Sequence, residues 1–182
     1  MLITDIFGKS PAVEKLCLNL QDNALDKIKI IDPYKGQFIE FTDEKRAYQH
    51  FTDSGGVESF AKTLLETLTK EQKPIRVIAF SVGASALWTL SENKQLAHIK
   101  QATCFYGSQI RYYQNVKPLF PIQLIFPDHE LHFDVDELQK NLAQKTHVTT
   151  IKTAYLHGFM NKLSTNFDID AYAEYSKLIA AT

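Results

Sequence analysis

Val77-Ile78-Ala79-Phe80-Ser81-Val82-Gly83-Ala84-Ser85 reads as a strand, a sharp turn and a helix. Ile75 to Phe80 is apolar except for Arg76 and stops at Ser81, after which Val82 to Leu90 has the composition of a buried helix. This is the setting of a nucleophile elbow, where the turn strains the backbone at the serine and the residues two before and two after it must be small. Ala79 and Gly83 meet that demand. The nonapeptide alone equally describes a plain strand-to-helix turn with Ser81 as a helix cap.

Outward from the elbow, short apolar runs alternate with amphipathic stretches. Leu2 to Phe7 is a first strand closed by Gly8, and Ser10-Pro11 opens a helix with Ser10 as N-cap and Pro11 in its first turn. Lys27 to Ile31 is a second strand ended by Asp32-Pro33. Tyr34 to Asp53 has no clear period and reads as a loop with a short helix around Thr42 to Phe51, or as a small lid. Val57 to Lys70 is helical, with Phe60, Leu64, Leu65 and Leu68 on one face. Beyond the elbow helix come strands at Ala102 to Tyr106, Pro121 to Phe126 and His147 to Thr153, a helix from Asp134 or Asp136 to Lys145, and a C-terminal helix from Asp170 to Ala181. Six strands interleaved with helices predict one three-layer α/β/α domain over residues 1–182 with a mainly parallel sheet, because parallel neighbours need crossovers and helices best supply them.

Composition excludes more than it identifies. The 182 residues carry 20 basic and 21 acidic side chains, a formal net charge of −1 without long runs of either sign, which argues against nucleic acid or an anionic membrane as partner. Arg111-Tyr112-Tyr113, with Lys117 after it, could form a stacking platform for single strands, but the neutral charge makes surface tyrosines the better account. Cys17 and Cys104 are isolated, which suits reduced thiols in a cytoplasmic protein. The N-terminus has no basic segment before its apolar residues and no apolar run nears the roughly 18 residues of a membrane span, so the expectation is a soluble, unexported chain. His129, His132 and His147 lack the pattern of a metal site, and no phosphate-binding loop follows Ser54-Gly55-Gly56.

In such sheets function gathers beyond the carboxyl ends of the strands. Ser81, Asp128 and His157 each follow a strand, in the chain order serine, carboxylate, histidine. A serine hydroxyl needs an imidazole to accept its proton, and the imidazole needs a carboxylate on its other nitrogen. Glu130, Asp134 or Asp136 could supply that carboxylate in place of Asp128. The oxyanion would be held by the amide of Val82 and by one from the loop near Ile6 and Phe7.

Leu2-Ile3-Thr4-Asp5-Ile6-Phe7-Gly8, the elbow, Cys104-Phe105-Tyr106-Gly107, Pro127-Asp128-His129 and Leu156-His157-Gly158-Phe159 together resemble, in order and approximate spacing, the dienelactone hydrolase family of α/β-hydrolases. The resemblance implies Ser81, Asp128 and His157 as a triad, Ile6 and Val82 as oxyanion donors, no cofactor, and a small ester, lactone or thioester as substrate. It also carries departures. Family members typically have cysteine at the position of Ser81 and glutamate at that of Asp5, and those that bind a substrate carboxylate use an arginine after the histidine, where Phe159-Met160-Asn161 offers none and Lys162 stands close by. The chain starts at what would be the family's third strand, so the expected sheet is a minimal one lacking the usual N-terminal edge strands, and a homodimer is one way to cover the edge so left. The alternative to a serine hydrolase is a catalytically inactive, hydrolase-like binding domain; a C–C bond hydrolase with the same triad is a third reading.

Overall fold

The computed structural model describes residues 1–20 and 28–181. Six parallel strands form one sheet in the order β2-β1-β3-β4-β5-β6, where β1 is Leu2–Ile3, β2 Ile30–Ile31, β3 Ile75–Phe80, β4 Ile99–Phe105, β5 Ile122–Phe126 and β6 Val148–Lys152. Helices α1 (Pro11–Leu20) and α6 (Ile169–Ala181) cover one face, and α3 (Gly56–Leu68), α4 (Val82–Leu90) and α5 (Val135–Leu142) the other, with α2 (Glu44–Asp53) packed beside α3. The expected three-layer α/β/α architecture is therefore present. No helix among the described residues is long and apolar enough to cross a membrane.

The two faces have different cores. Val13, Leu16 and Cys17 of α1 meet Phe80, Phe105, Phe159 and Tyr175 on the aromatic side. On the other side the elbow helix is enclosed, every residue from Val82 to Trp88 being buried. This explains its composition: small and apolar residues all round suit a helix with no solvent face. Cys17 and Cys104 are buried and unpaired, and burial pushes their thiols up to about 11 and about 12.

Local chemistry sets the boundaries. Ser10 Oγ accepts from the Val13 amide (3.3 Å) at the start of α1, and the Asp43 and Asp134 carboxylates cap α2 and α5 in the same way. The first strand is shorter than its sequence suggests. It ends at Ile3, because Asp5 Oδ1 accepts from the Phe7 amide (3.0 Å) and the Gly8 amide bonds the Asp5 carbonyl (3.1 Å), folding Asp5 to Gly8 into a turn. Lys27, expected to begin the second strand, lies outside the described residues, and the ladder contains only Ile30–Ile31. In the segment without a clear period, Asp32 accepts from the amides of Tyr34 (2.8 Å) and Gly36 (2.8 Å), and the rings of Tyr34, Phe41 and His50 cluster against one another before and along α2. Its order comes from side-chain caps and ring packing, which leave no period to read.

The tightest packing lies where the elbow crosses β1. A Cβ on Gly83 would sit 2.3 Å from the Thr4 carbonyl oxygen and 2.7 Å from Ile3 Cγ2, so the helix can approach the end of β1 only as glycine. Gly83→Ala is expected to lower the unfolding free energy by about 1–3 kcal/mol or more, read from urea denaturation, since the clash is with backbone and cannot relax by a rotamer change. A loss under about 0.5 kcal/mol would show that β1 is free to yield.

Candidate active site

Ser81 stands between β3 and α4 with φ +50° and ψ −113°, a conformation that costs an L-residue on the order of 1–3 kcal/mol and that the surroundings must impose. They do so from both sides. The Ser81 amide still pairs with the Phe105 carbonyl (2.9 Å), continuing the β3–β4 ladder, while the Ser81 carbonyl already accepts from the Ser85 amide (3.0 Å) in the first turn of α4. The side chain, only 7% exposed, opens onto a cleft of about 450 Å³ whose lining includes Ile6, Val82, Tyr106, Arg111, Glu130 and His157.

Ser81 Oγ lies 2.9 Å from His157 Nε2, and His157 Nδ1 lies 2.7 Å from Glu130 Oε1. The imidazole sits on the loop after β6, where Asn166 Nδ2 donates to the His157 carbonyl (2.9 Å) and the Tyr106 ring packs 4.9 Å from it. Gly158 follows with φ +90°, and a Cβ there would meet Ser164 Oγ at 2.3 Å, so the chain turns sharply just after the histidine.

The structure brings Ser81 and His157 together as the sequence order suggests, but it does not bring Asp128 to His157. The Asp128 amide pairs with the Tyr155 carbonyl (2.7 Å), and its half-exposed carboxylate accepts from His129 Nδ1 at 3.0 Å. The carboxylate on His157 comes from Glu130, one of the three alternatives left open by the sequence. The cause is local. The chain remains tied to the β6 exit loop at Asp128 and turns back only afterwards, through the bridge between Glu130 and Phe133, which leaves the Glu130 side chain 14% exposed beneath the imidazole.

The loop from Asp5 to Gly8 borders the same cleft. Tyr34 Oη donates to the Ile6 carbonyl (2.6 Å), fixing the peptide beside the elbow. Asp5 Oδ2 accepts from Asn161 Nδ2 (2.5 Å), and Asn161 Oδ1 accepts from the Leu163 amide (2.9 Å), so one buried pair ties this loop to the one that carries His157. Sequence gave no sign of Asn161 or Tyr34 in these positions, because neither bond has a local pattern. Lys162, close to His157 in sequence, lies instead over the Phe167 and Tyr172 rings at 5.8 and 5.2 Å. Part of α2 also reaches the cleft: Glu44, Lys45 and Tyr48 line it, and Glu44 accepts from the Thr165 amide (3.3 Å) and hydroxyl (3.4 Å). The Tyr34 to Asp53 segment thus forms one wall. Among the described residues no three His, Cys, Asp or Glu side chains gather as a metal site would require.

Burial raises the Asp5 carboxyl above its ordinary value, and the bonds from Asn161 and Phe7 oppose this without cancelling it. The stability that Asp5 contributes is therefore full below its unfolded value of about 4 and is lost as pH rises through the raised folded value. The unfolding free energy of the native chain minus that of Asp5→Asn should fall as pH rises from about 4 towards 8. A difference that rises over this range would mean that Asp5 is held ionised.

No protein-family model matches the chain. It is 35% identical over 130 residues to the Bacillus subtilis (strain 168) uncharacterized protein YczH, a match covering 69% of this chain and 62% of that protein, so the chain spans less than two thirds of the relative's length. Among solved structures, a Klebsiella pneumoniae protein assigned as a dienelactone hydrolase aligns with a TM-score of 0.72 at 12% identity, covering 98% of this chain and 83% of that one. The dienelactone hydrolase of Anabaena variabilis aligns with a TM-score of 0.59 at 12% identity, covering 99% and 83%. The fold is that of the α/β-hydrolases, and its likeness to dienelactone hydrolase structures extends over nearly the whole chain.

Proposed function

We propose that residues 1–182 form a serine hydrolase domain that cleaves a small ester, thioester or lactone. The observation that carries this reading is the continuous chain of hydrogen bonds Ser81 Oγ, His157 Nε2, His157 Nδ1 and Glu130 Oε1, at 2.9 and 2.7 Å, at the mouth of a cleft. Ser81 is the nucleophile and His157 the base that takes its proton. Glu130 fixes the tautomer and stabilises the imidazolium, the role the sequence pattern suggests for Asp128.

The strained elbow turns Ser81 Oγ outward, while the Val82 amide, at the start of α4, faces the developing oxyanion with the help of the helix dipole. The Ile6 amide is the second donor. Attack forms a tetrahedral intermediate, His157 returns the proton to the leaving oxygen or sulfur, and the acyl-enzyme so formed is attacked by a water that His157 deprotonates. The dienelactone hydrolase structures that share the fold are consistent with a carbonyl substrate, and the thioesterase domain of the curacin biosynthetic pathway, with a TM-score of 0.61 at 10% identity, extends the range to thioesters. Buried unpaired thiols suit a cytoplasmic setting.

Fluorophosphonate labelling followed by site mapping should modify Ser81 and fail in His157→Ala, with turnover of short p-nitrophenyl esters by the native chain. Glu130→Gln is expected to lower kcat by about 10²-fold or more, whereas Asp128→Asn should change it less than about threefold. Folded protein that neither labels nor turns over would favour an inactive, ligand-binding domain. A large loss in Asp128→Asn with none in Glu130→Gln would return the carboxylate role to Asp128.

A further inference from the structure

Arg111 belongs to a sequence pattern, Arg111-Tyr112-Tyr113, that makes a poor nucleic-acid platform on a chain without net positive charge. Its place in the fold gives it another use. It lies on the 3₁₀ turn Ser108–Tyr112 just after β4, on the wall of the cleft onto which Ser81 opens. Its guanidinium carbon sits 4.2 Å from the centre of the Tyr112 ring and 5.0 Å from that of Phe133. Nη1 donates to the Ser108 carbonyl (2.6 Å) and Nη2 to Tyr112 Oη (2.7 Å).

These contacts fix the group without neutralising it. Among the described residues no carboxylate lies within ion-pairing distance of Arg111, nor of Lys45, which lines the same cleft from α2. The carboxylates that line the cleft are all engaged elsewhere: Asp5 with Asn161 and Phe7, Glu44 with Thr165, and Glu130 with His157. A guanidinium has five N–H groups in a planar fork, and only two are spent on the bonds above. An arginine held in place loses little side-chain freedom when it takes up a ligand, and its free edge matches two oxygens of a carboxylate or phosphate. A half-buried positive charge with no carboxylate beside it, held on the wall of a binding cleft, is free to take an anion from outside.

We propose that Arg111 is a specificity-determining residue that selects substrates bearing a carboxylate or phosphate on the part of the molecule remote from the bond under attack. The inference rests on the hydrolase reading and narrows its substrate class to anionic esters or thioesters. Phe133, one face of the Arg111 cradle, is bridged to Glu130, so the hairpin that supports the anion site also delivers the carboxylate to His157.

Binding can be measured without chemistry. In the full chain with Ser81→Ala, glutarate, butyl phosphate and neutral glutaramide are titrated by NMR, with and without Arg111→Gln or Arg111→Lys. At least one anion should bind about tenfold or more tighter than glutaramide, lose that advantage in Arg111→Gln and keep part of it in Arg111→Lys. The favoured anion tells carboxylate from phosphate. Equal binding of all three, no binding of either anion, or an advantage that survives Arg111→Gln would overturn the proposal. With the serine intact, the ratio of kcat/KM for mono-p-nitrophenyl glutarate over p-nitrophenyl valerate should exceed one and fall towards one in Arg111→Gln. A native chain that labels at Ser81 but shows no preference for the anionic ester strikes the Arg111 proposal alone. Failure of Ser81 to label strikes the hydrolase reading and leaves the titration to judge the anion site.

Discussion

The contact between Gly83 and the end of β1 is the constraint on which the rest of the molecule depends. Because no side chain separates the elbow helix from the Thr4 carbonyl, α4 can start directly behind β3 and turn Ser81 outward. The same closeness sets the Asp5 to Gly8 loop beside the serine, where Asp5, Ile6 and Phe7 line the cleft. The cost is a serine at φ +50°, held there by a sheet bond on its amide and a helical bond on its carbonyl. Two regular ladders, each cooperative, pin one irregular residue between them.

The second dependence is on bonds that join distant loops. Asp5 with Asn161, Tyr34 with the Ile6 carbonyl, Glu44 with Thr165 and Asn166 with the His157 carbonyl lace together four segments that the sheet alone would leave independent. Each bond is modest, with a net worth of about 1 kcal/mol, but a buried partner left unpaired would cost more than its bond returns. Asp5 is the extreme case, since its burial makes ionisation unfavourable even with two donors facing it.

Most of the architecture was legible in the sequence because the elements that make it are periodic. The elbow strand and helix, a start of α5 at Asp134, one of the two positions read for it, and the strand before His157 fall where the pattern puts them. The misreadings cluster where side chains override pattern. Asp5 ends the first strand early by bonding the Phe7 amide, a competition that hydropathy does not register. Pro127-Asp128-His129 has the look of a turn bearing a carboxylate, yet the bond from the Asp128 amide to Tyr155 delays the return of the chain by two residues and puts Glu130 against the imidazole. Register of that kind depends on a partner 27 residues away. Asn161 was hidden for the same reason, since its partner Asp5 lies 156 residues away in the chain.

The serine and the histidine differ in how they are anchored. Ser81 is a rung of the central sheet, so its amide should open only when β3 and β4 part, among the last events in the life of the native state. His157 rides on a loop held by side-chain bonds from Asn161, Asn166 and Glu130, any of which can break while the sheet stays whole. The two halves of the site therefore belong to different units of local stability. Mild heat or denaturant would uncouple the base from the nucleophile well before the fold is lost, so inactivation would run ahead of unfolding and be recovered at once on return to native conditions.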